Sequence, residues 1–198
     1  MKKNILVLAK VYELDMTGFD FVKKELSQAG TEVELQRIQV EKGNSLIMQG
    51  QKLNSLYWVE SGLLREYHHD ELDEFTNSFL MTGSYYMTGF YFGGQIHSSF
   101  TVEALETSII QILQMDLFNS HEIDHKVLLD IFKKLSSIKY HQNLDWKLIN
   151  GTRNFLHRWE LFKKKNPGVW NNIPQKHLAS FFNITPQYLS KLKARRML

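Results

Sequence analysis

The side chains best suited to recognising another molecule lie close together near the end of the chain. Gln187, Ser190 and Lys191 follow one another at helical spacing, and Arg195 and Arg196 lie about one turn further on. A Gln side chain can pair with adenine through two hydrogen bonds, Lys can bond guanine, and Ser can bond a base or a phosphate. On the outer side of one helix, these residue types match what a DNA major groove requires.

The sequence around these residues predicts two short helices joined by a tight turn over residues 173–196. Pro174 suits the first position of a helix, and Thr185 followed by Pro186 is a strong start for the second one. Asn183 falls at the turn, where left-handed backbone is expected. This pattern is typical of a DNA-binding helix-turn-helix. The apolar residues expected to pack the two helices together are Leu178, Ala179, Phe182, Leu189 and Leu192.

We expect two kinds of DNA contact from this motif. The residues predicted to face the bases are Gln187, Tyr188, Ser190 and Lys191. The residues predicted to face the phosphates are Lys176, Thr185, Lys193, Arg195 and Arg196.

The charge of the chain is divided unevenly along its length. Residues 147–198 contain 11 Lys and Arg but one acid, Glu160, whereas residues 1–146 contain 13 basic and 20 acidic side chains. A basic segment joined to an acidic body favours a polyanionic partner for that segment. The alternative is an ordinary solvated basic face.

The composition excludes several other functions. The chain has 198 residues, of which 43% are hydrophobic, so it can bury a substantial core. It contains no cysteine, which excludes disulfides, cysteine-ligated zinc, iron–sulfur clusters and thiol nucleophiles. No stretch approaches the roughly 20 apolar residues of a membrane span, so a soluble, cytoplasmic protein is expected.

The segment before the basic region predicts a β-rich domain. Residues 1–30 favour a helix that ends near Gly30, with Phe19, Val22 and Leu26 on one face. From residue 31 to about 114 the pattern changes to short strands, which suggests a sandwich or jelly-roll barrel. The turns of this domain are marked by Gly43, Gly50, Gly62 and Gly83, where positive φ angles are expected.

A long helix is predicted over residues 125–149, and another over residues 152–165. The first helix has a seam at heptad spacing made of Leu128, Ile131, Leu135 and Ile138. This seam allows two interpretations, a helix packed on its own barrel or a helix that pairs with its copy in a dimer. Asn150 and Gly151, between the two helices, form a plausible hinge.

One motif suggests a metalloenzyme. His121, Glu122 and His125 match the H-E-x-x-H pattern of zinc peptidases. The match falls between predicted helices and no convincing third ligand follows, so we expect neither a metal site nor a catalytic residue, and no enzyme activity.

The whole chain resembles the Crp–Fnr family of bacterial transcription regulators. The resemblance is carried by residues 56–62 (Leu-Tyr-Trp-Val-Glu-Ser-Gly) and 99–106 in the barrel, and by residues 173–176 and 184–191 in the helix-turn-helix. It implies an α+β chain with a cyclic-nucleotide-binding-type jelly roll at residues 1–124, a dimerisation helix at 125–149 and a DNA-binding domain at 150–198. It also implies a homodimer on a near-palindromic operator, an effector in the barrel and, for an activator, contact with RNA polymerase.

The family's phosphate-binding segment is altered in this chain. Members that bind cyclic AMP carry a glycine, a glutamate and an arginine there, but the corresponding positions hold Met87, Thr88 and Ser98 or Ser99. Between Glu66 and His125 there is no Lys or Arg to meet a buried phosphate. We therefore expect an effector other than cyclic AMP, or none, and no cofactor, although any of the eight histidines could bind haem. The residues expected to line the effector pocket are Tyr85, Tyr86, Thr88, His97, Ser98 and Ser99.

A second interpretation comes from another class of protein. The chain could be a small-molecule sensor that acts through a protein partner, with a degenerate DNA-binding domain. The basic charge of residues 147–198 argues against it.

Overall fold

The computed structural model describes residues 18–31, 35–53, 55–87, 96–114 and 124–195. The first helix, α1, spans Gly18–Gln28, and Gly30 follows it with a φ of 75°. The predicted helix start within residues 1–17 and the side chain of Phe19 lie outside the described part.

A β-barrel of short strands follows α1, as predicted. The strands are β1 (Gln36–Val40), β2 (Ser45–Ile47), β3 (Lys52–Leu53), β4 (Ser55–Ser61), β5 (Leu63–His69), β6 (Glu74–Met81), β7 (Tyr85–Tyr86), β8 (Ile96–His97), β9 (Thr101–Ala104) and β10 (Ser108–Gln114). One sheet has the order β1-β10-β4-β7, the other has the order β2-β9-β5-β6, and β3 pairs with β8. The described pairings are antiparallel, which is the arrangement expected of a jelly roll.

The turns of the barrel depend on glycine, as the sequence predicts. Gly43, Gly50, Gly62 and Gly83 have φ angles between 80° and 115°. Gly62 joins β4 to β5, and a Cβ added there would lie 2.1 Å from the Ser108 Oγ atom. That hydroxyl in turn accepts a hydrogen bond from the Leu63 amide. A side chain at position 62 would therefore disrupt the junction between the two sheets.

The two sheets enclose an apolar core between them. Its fully buried members, with no exposed surface, are Ile47, Leu64, Val102, Ala104 and Ile110. Strand β10, which contributes Ile110, alternates buried and half-buried residues along most of its length, whereas β5 is buried on both faces at residues 63–66.

The long central helix, α2, spans His125–Gly151 and begins at Asp124, whose carboxylate accepts a hydrogen bond from the Lys126 amide. Its face made of Leu128, Ile131 and Leu135 is buried inside the chain. These side chains pack against α1 and against the barrel residues Leu56, Trp58, Tyr85 and Leu113, and Ile138 is partly buried beside them.

The dimer seam predicted at Leu128, Ile131, Leu135 and Ile138 is therefore wrong, and the alternative of a helix packed on its own barrel describes these residues. Heptad spacing shows that one side of a helix is buried, but it does not reveal what covers that side. The predicted hinge also differs, because Asn150 and Gly151 remain helical and the helix is capped at Thr152.

Three more helices follow α2 among the described residues. Helix α3 spans Phe155–Lys165 and α4 spans Gln175–Phe181, with a short 3₁₀ turn at Val169–Asn171 between them, and α5 spans Pro186–Ala194. Helix α3 starts on the side chain of Asn154, which accepts from the His157 amide. It ends in three lysines, whose positive charges interact favourably with the partial negative charge at a helix C-terminus.

The helices after α2 share an aromatic core with the barrel. Its helical part is built around Phe155, Trp159, Phe162, Phe181 and Phe182, and Leu63, Phe79 and Leu105 of the barrel belong to the same cluster. The helices that follow α2 are thus packed onto the barrel. None of the helices described is long and apolar enough to cross a membrane.

Candidate nucleic-acid interface and effector cleft

The turn between α4 and α5 has the geometry that the sequence predicts. Asn183 has a φ of 53°, and it is the one residue other than glycine with positive φ in the described ranges. The Thr185 hydroxyl accepts a hydrogen bond from the Tyr188 amide at 3.2 Å, and Pro186 is the first residue of α5. Leu178 and Ala179 on α4 and Leu189 on α5 have no exposed surface, so the two helices pack closely.

The four residues predicted to face DNA bases all lie on the outer side of α5. Gln187, Tyr188, Ser190 and Lys191 are exposed, whereas Leu189 and Leu192 of the same helix are buried. The Tyr188 ring contacts Phe155 edge-on at 6.0 Å, which fixes its orientation. The side chain of Ser190 donates to Gln175 Oε1 at 3.3 Å. The outer surface of α5 is therefore polar and basic, and it is free to contact a ligand.

The residues predicted to face phosphates are less uniform. Lys176 and Arg195 are exposed, as that role requires. The hydroxyl of Thr185 already caps α5, and Lys193 is half-buried with its Nζ atom 5.9 Å from the Trp159 ring. Arg196 lies outside the described residues. Lys176 and Arg195 are consequently the best placed of the set to meet a DNA backbone.

A second site is a cleft of about 960 Å³ between the barrel and α2, which we call the effector cleft. Tyr86 and Ser99 line it, as predicted. Ser98 is buried next to them, and its hydroxyl shares a 2.9 Å hydrogen bond with the Tyr86 hydroxyl. Burial raises the pKa of Tyr86 above its usual value, so this phenol stays neutral.

The remaining predicted pocket residues lie elsewhere. Tyr85 points out of the cleft, because its ring packs against Trp58 and its hydroxyl donates to the Leu135 carbonyl oxygen of α2. Neighbouring residues of a strand point to opposite faces, so Tyr85 and Tyr86 could not both line one pocket. His97 is exposed on the strand that pairs with Lys52, away from the cleft lining. Thr88 lies outside the described residues.

The sequence did not predict the part of the cleft lining that α2 contributes. The lining also contains Glu66 of β5, and Ser136, Lys139, Tyr140, Asn143, Trp146 and Lys147 of α2. The Lys139 Nζ atom lies 3.8 Å from a carboxylate oxygen of Glu66, which also accepts a hydrogen bond from Ser78.

The cleft nevertheless contains two lysines. The absence of Lys and Arg between Glu66 and His125 holds along the sequence, but α2 brings Lys139 and Lys147 to the cleft from farther along the chain. Lys139 and Trp146 are seven residues apart, which is about two turns of α2, so they lie on the same side of the helix. This spacing is the sequence signal that could have predicted that α2 contributes to the cleft.

Only part of the zinc-peptidase motif lies within the described residues. His121 and Glu122 lie outside the described residues, and His125 is exposed at the start of α2. Within the described ranges, no group of three His, Asp or Glu side chains is arranged to hold a metal ion.

Comparison with known proteins agrees with this architecture. Residues 37–120 match the family model of the cyclic nucleotide-binding domain. No curated protein sequence matches the chain. Among solved structures, the chain is similar to FixK2 from Bradyrhizobium japonicum, with a TM-score of 0.65 and 14% identity over 82% of this chain and 86% of that one.

Two further structures show the same similarity. The c-di-GMP responsive global regulator CLP of Xanthomonas campestris has a TM-score of 0.65 and 11% identity, covering 89% of this chain and 91% of that one. TTHB099, a transcriptional regulator of the CRP family from Thermus thermophilus, has a TM-score of 0.61 and 16% identity, covering 80% and 83%.

Residues 37–120 are thus similar to the cyclic nucleotide-binding domain. The chain shares the α+β fold of solved Crp–Fnr regulators, which confirms the fold that the sequence resemblance implies.

Proposed function

We propose that the chain is a sequence-specific DNA-binding transcription regulator of the Crp–Fnr type that acts as a homodimer in the bacterial cytoplasm. The observation that carries this proposal is the outer side of α5. On a capped and closely packed helix-turn-helix, Gln187, Tyr188, Ser190 and Lys191 are exposed together. An exposed row of hydrogen-bonding side chains on a second helix is what base recognition in the major groove requires.

The charge of the same region supports a DNA partner. Residues 147–198 contain 11 basic side chains and one acid. Phosphate contacts supply most of the affinity of such proteins, and base contacts supply the specificity. Lys176 and Arg195 at the ends of the motif would bind the backbone, while Gln187 and Lys191 would distinguish bases.

The first experiment selects DNA duplexes that the full-length chain binds from a random pool and measures their affinity by gel shift. Lys191→Ala should relax base preference at one position of the DNA site. It should also weaken binding to the selected site by about 1–3 kcal/mol. The control is Lys42→Ala, an exposed lysine of the barrel, which should change neither quantity. If Lys191→Ala kept both affinity and preference, the proposed base-contacting face would be wrong.

The same experiment separates the two candidate functions. A small-molecule sensor that acts through a protein partner with a degenerate DNA-binding domain would select no sequence from the pool. Selection of a near-palindromic site would favour the DNA-binding regulator, and contact with RNA polymerase would then be expected if it is an activator.

We further propose that the effector cleft takes a ligand other than cyclic AMP in its usual mode, or none. Lys139 is close to Glu66, so a cyclic phosphate would compete with an existing buried carboxylate for this cation. Tyr86, Phe100, Tyr140 and Trp146 add aromatic surface to the wall of the cleft. A ligand with an uncharged, partly aromatic surface fits this lining better than a nucleotide phosphate does.

Isothermal titration of cyclic AMP into the full-length chain tests this proposal. We expect no heat of binding at micromolar nucleotide, because breaking the Lys139–Glu66 pair leaves an unpaired buried carboxylate. Binding in the micromolar range would contradict it. A second titration, of cyclic AMP into the Lys139→Met variant, tests whether any heat observed arises from binding in the cleft.

A further inference from the structure

A cavity of about 260 Å³ lies where β6, α2 and the C-terminal end of α3 meet, and we call it the junction cavity. It is distinct from the effector cleft, although Lys139 and Trp146 of α2 line both. Pockets for drug-sized molecules have volumes of roughly 300–1,000 Å³. The junction cavity is smaller than these, so its size suits a small metabolite.

One side of the junction cavity is apolar. Phe79 and Met81 are alternate residues of β6 and therefore share a face of the strand, and Trp146 of α2 lies with them in the lining. The Trp146 ring is 6.0 Å from the Phe162 ring and 5.3 Å from the Phe181 ring, which hold it in place. This side of the cavity offers a fixed surface to an apolar group.

The rim of the cavity carries an ion pair between Asp145 of α2 and Lys165 at the end of α3. The Asp145 and Lys165 side chains are 48% and 39% exposed, so water screens their attraction. Such an exposed pair contributes little to stability, and a ligand can separate its partners at small cost. The rim can therefore present one positive and one negative group to a molecule that enters.

A buried amide lies next to this ion pair in the lining. Asn166 is 3% exposed, and its Nδ2 atom donates a hydrogen bond to the Phe162 carbonyl oxygen at 2.9 Å. None of the described residues donates to the Asn166 Oδ1 atom. That oxygen is an acceptor for a ligand N–H group.

We propose that the junction cavity binds a small zwitterion, namely an α-amino acid with an apolar side chain. The ligand carboxylate pairs with Lys165, and the ligand ammonium group donates to Asp145 and to the Asn166 Oδ1 atom. The apolar side chain lies against Phe79 and Trp146. A ligand with only one charge would separate the ion pair and leave one partner unmatched in a site from which water has been displaced.

The first test titrates L-leucine, L-methionine and L-phenylalanine into the full-length chain by isothermal calorimetry. We expect at least one of them to bind with a Kd of about 1 mM or tighter. For the tightest binder, the matching acid without the amino group and the matching amine without the carboxyl group should each bind roughly tenfold more weakly, because each leaves a polar group of the site unpaired. Glycine, which lacks the apolar side chain, should give no measurable heat.

The second test changes the ion pair in the full-length chain. Asp145→Asn and Lys165→Met should each weaken binding of the same amino acid roughly tenfold, since each removes one charged contact. The matched controls are Asp130→Asn and Lys133→Met, which alter another exposed ion pair of α2, outside the cavity lining. These two controls should bind the amino acid as tightly as the unmodified chain does.

A third variant decides between the two spaces. Lys147 lines the effector cleft and is not among the residues that line the junction cavity, so Lys147→Met should leave the affinity for the amino acid unchanged. If Lys147→Met weakened binding and Lys165→Met did not, the ligand would lie in the effector cleft and the proposed site would be wrong.

The remaining outcomes also bear on the proposal directly. No binding of any of the three amino acids would overturn it. Equal affinity for the amino acid and for its singly charged analogues would overturn the recognition of a zwitterion. None of these measurements uses DNA, so their results are independent of the proposed function in DNA binding.

Discussion

His177 is a buried imidazole where α4 meets the barrel. Burial lowers its pKa to about 4, and the nearby positive charges of Arg65 and Lys176 act in the same direction, while Glu74 opposes them. An unfolded chain would titrate this group near its ordinary pKa of 6.5. Between about pH 4 and 6.5 the unfolded chain therefore binds more protons than the folded one, so the free energy of unfolding falls as the pH is lowered through this range.

Replacing this imidazole should remove part of that pH dependence. Denaturant unfolding at pH 7 and pH 5 should show a smaller loss of stability in His177→Gln than in the unmodified chain, because Gln does not titrate. His157→Gln, at an exposed histidine of α3, serves as the control and should keep the original dependence. Equal losses in His177→Gln and the unmodified chain would show that His177 is not the group responsible.

Single residues with strong local preferences were predicted well from the sequence. Asn183 has left-handed backbone, Thr185 caps α5, and Gly62 has positive φ, because each follows from the chemistry of a few adjacent residues. The Lys139–Glu66 pair was not predictable in this way. Its partners are 73 positions apart, and only the path of α2 across the barrel brings them together.

At the scale of elements, the helices and strands were predicted from the sequence. The part of the chain against which α2 packs was not. The heptad of Leu128, Ile131 and Leu135 indicates a buried side, and the structure shows that α1 and the barrel cover it. The opposite side of α2 has exposed apolar residues. They are Leu129, Tyr140, Leu144 and Leu148, with 39%, 63%, 39% and 60% of their surface exposed.

This outer face of α2 is where we expect a second copy of the chain to pack in the proposed homodimer. Leu144 and Leu148 lie four residues apart on one stripe of the helix, and Tyr140 continues this stripe toward the cleft that it also lines. A charge placed in the stripe would be desolvated on association, whereas it costs little in the separate chain. Leu144→Glu with Leu148→Glu should therefore shift the assembly toward single chains of 23.3 kDa in sedimentation equilibrium.

The same chemical change elsewhere provides the control for this prediction. Leu72→Glu alters a residue of the β5–β6 turn that is 91% exposed, and it should leave the mass of the assembly unchanged. Two results would count against the outer face as the dimer interface: an unmodified chain that is a monomer at micromolar concentration, or a doubly substituted chain that remains a dimer.

At the scale of the whole molecule, the charges are separated between the two ends of the chain. Residues 147–198 are basic, and the acidic residues, 20 of the 21, are concentrated in residues 1–146. A DNA duplex would therefore be attracted to the helical end and repelled by much of the barrel. In the proposed complex with DNA, this distribution would favour one orientation of the protein before any base is contacted.

Backbone contacts made by the basic end should be visible in the salt dependence of binding. Each neutralised phosphate contributes about −0.9 to the slope of log affinity against log salt concentration, since bound counterions are released. Arg195→Ala should weaken selected and unrelated duplexes alike and flatten this slope by about one, because Arg195 is exposed at the end of α5. Lys191→Ala should differ by losing discrimination between duplexes. If Arg195→Ala instead altered base preference and left the slope unchanged, Arg195 would belong to the base-contacting side, and α5 would enter the groove with its C-terminal end.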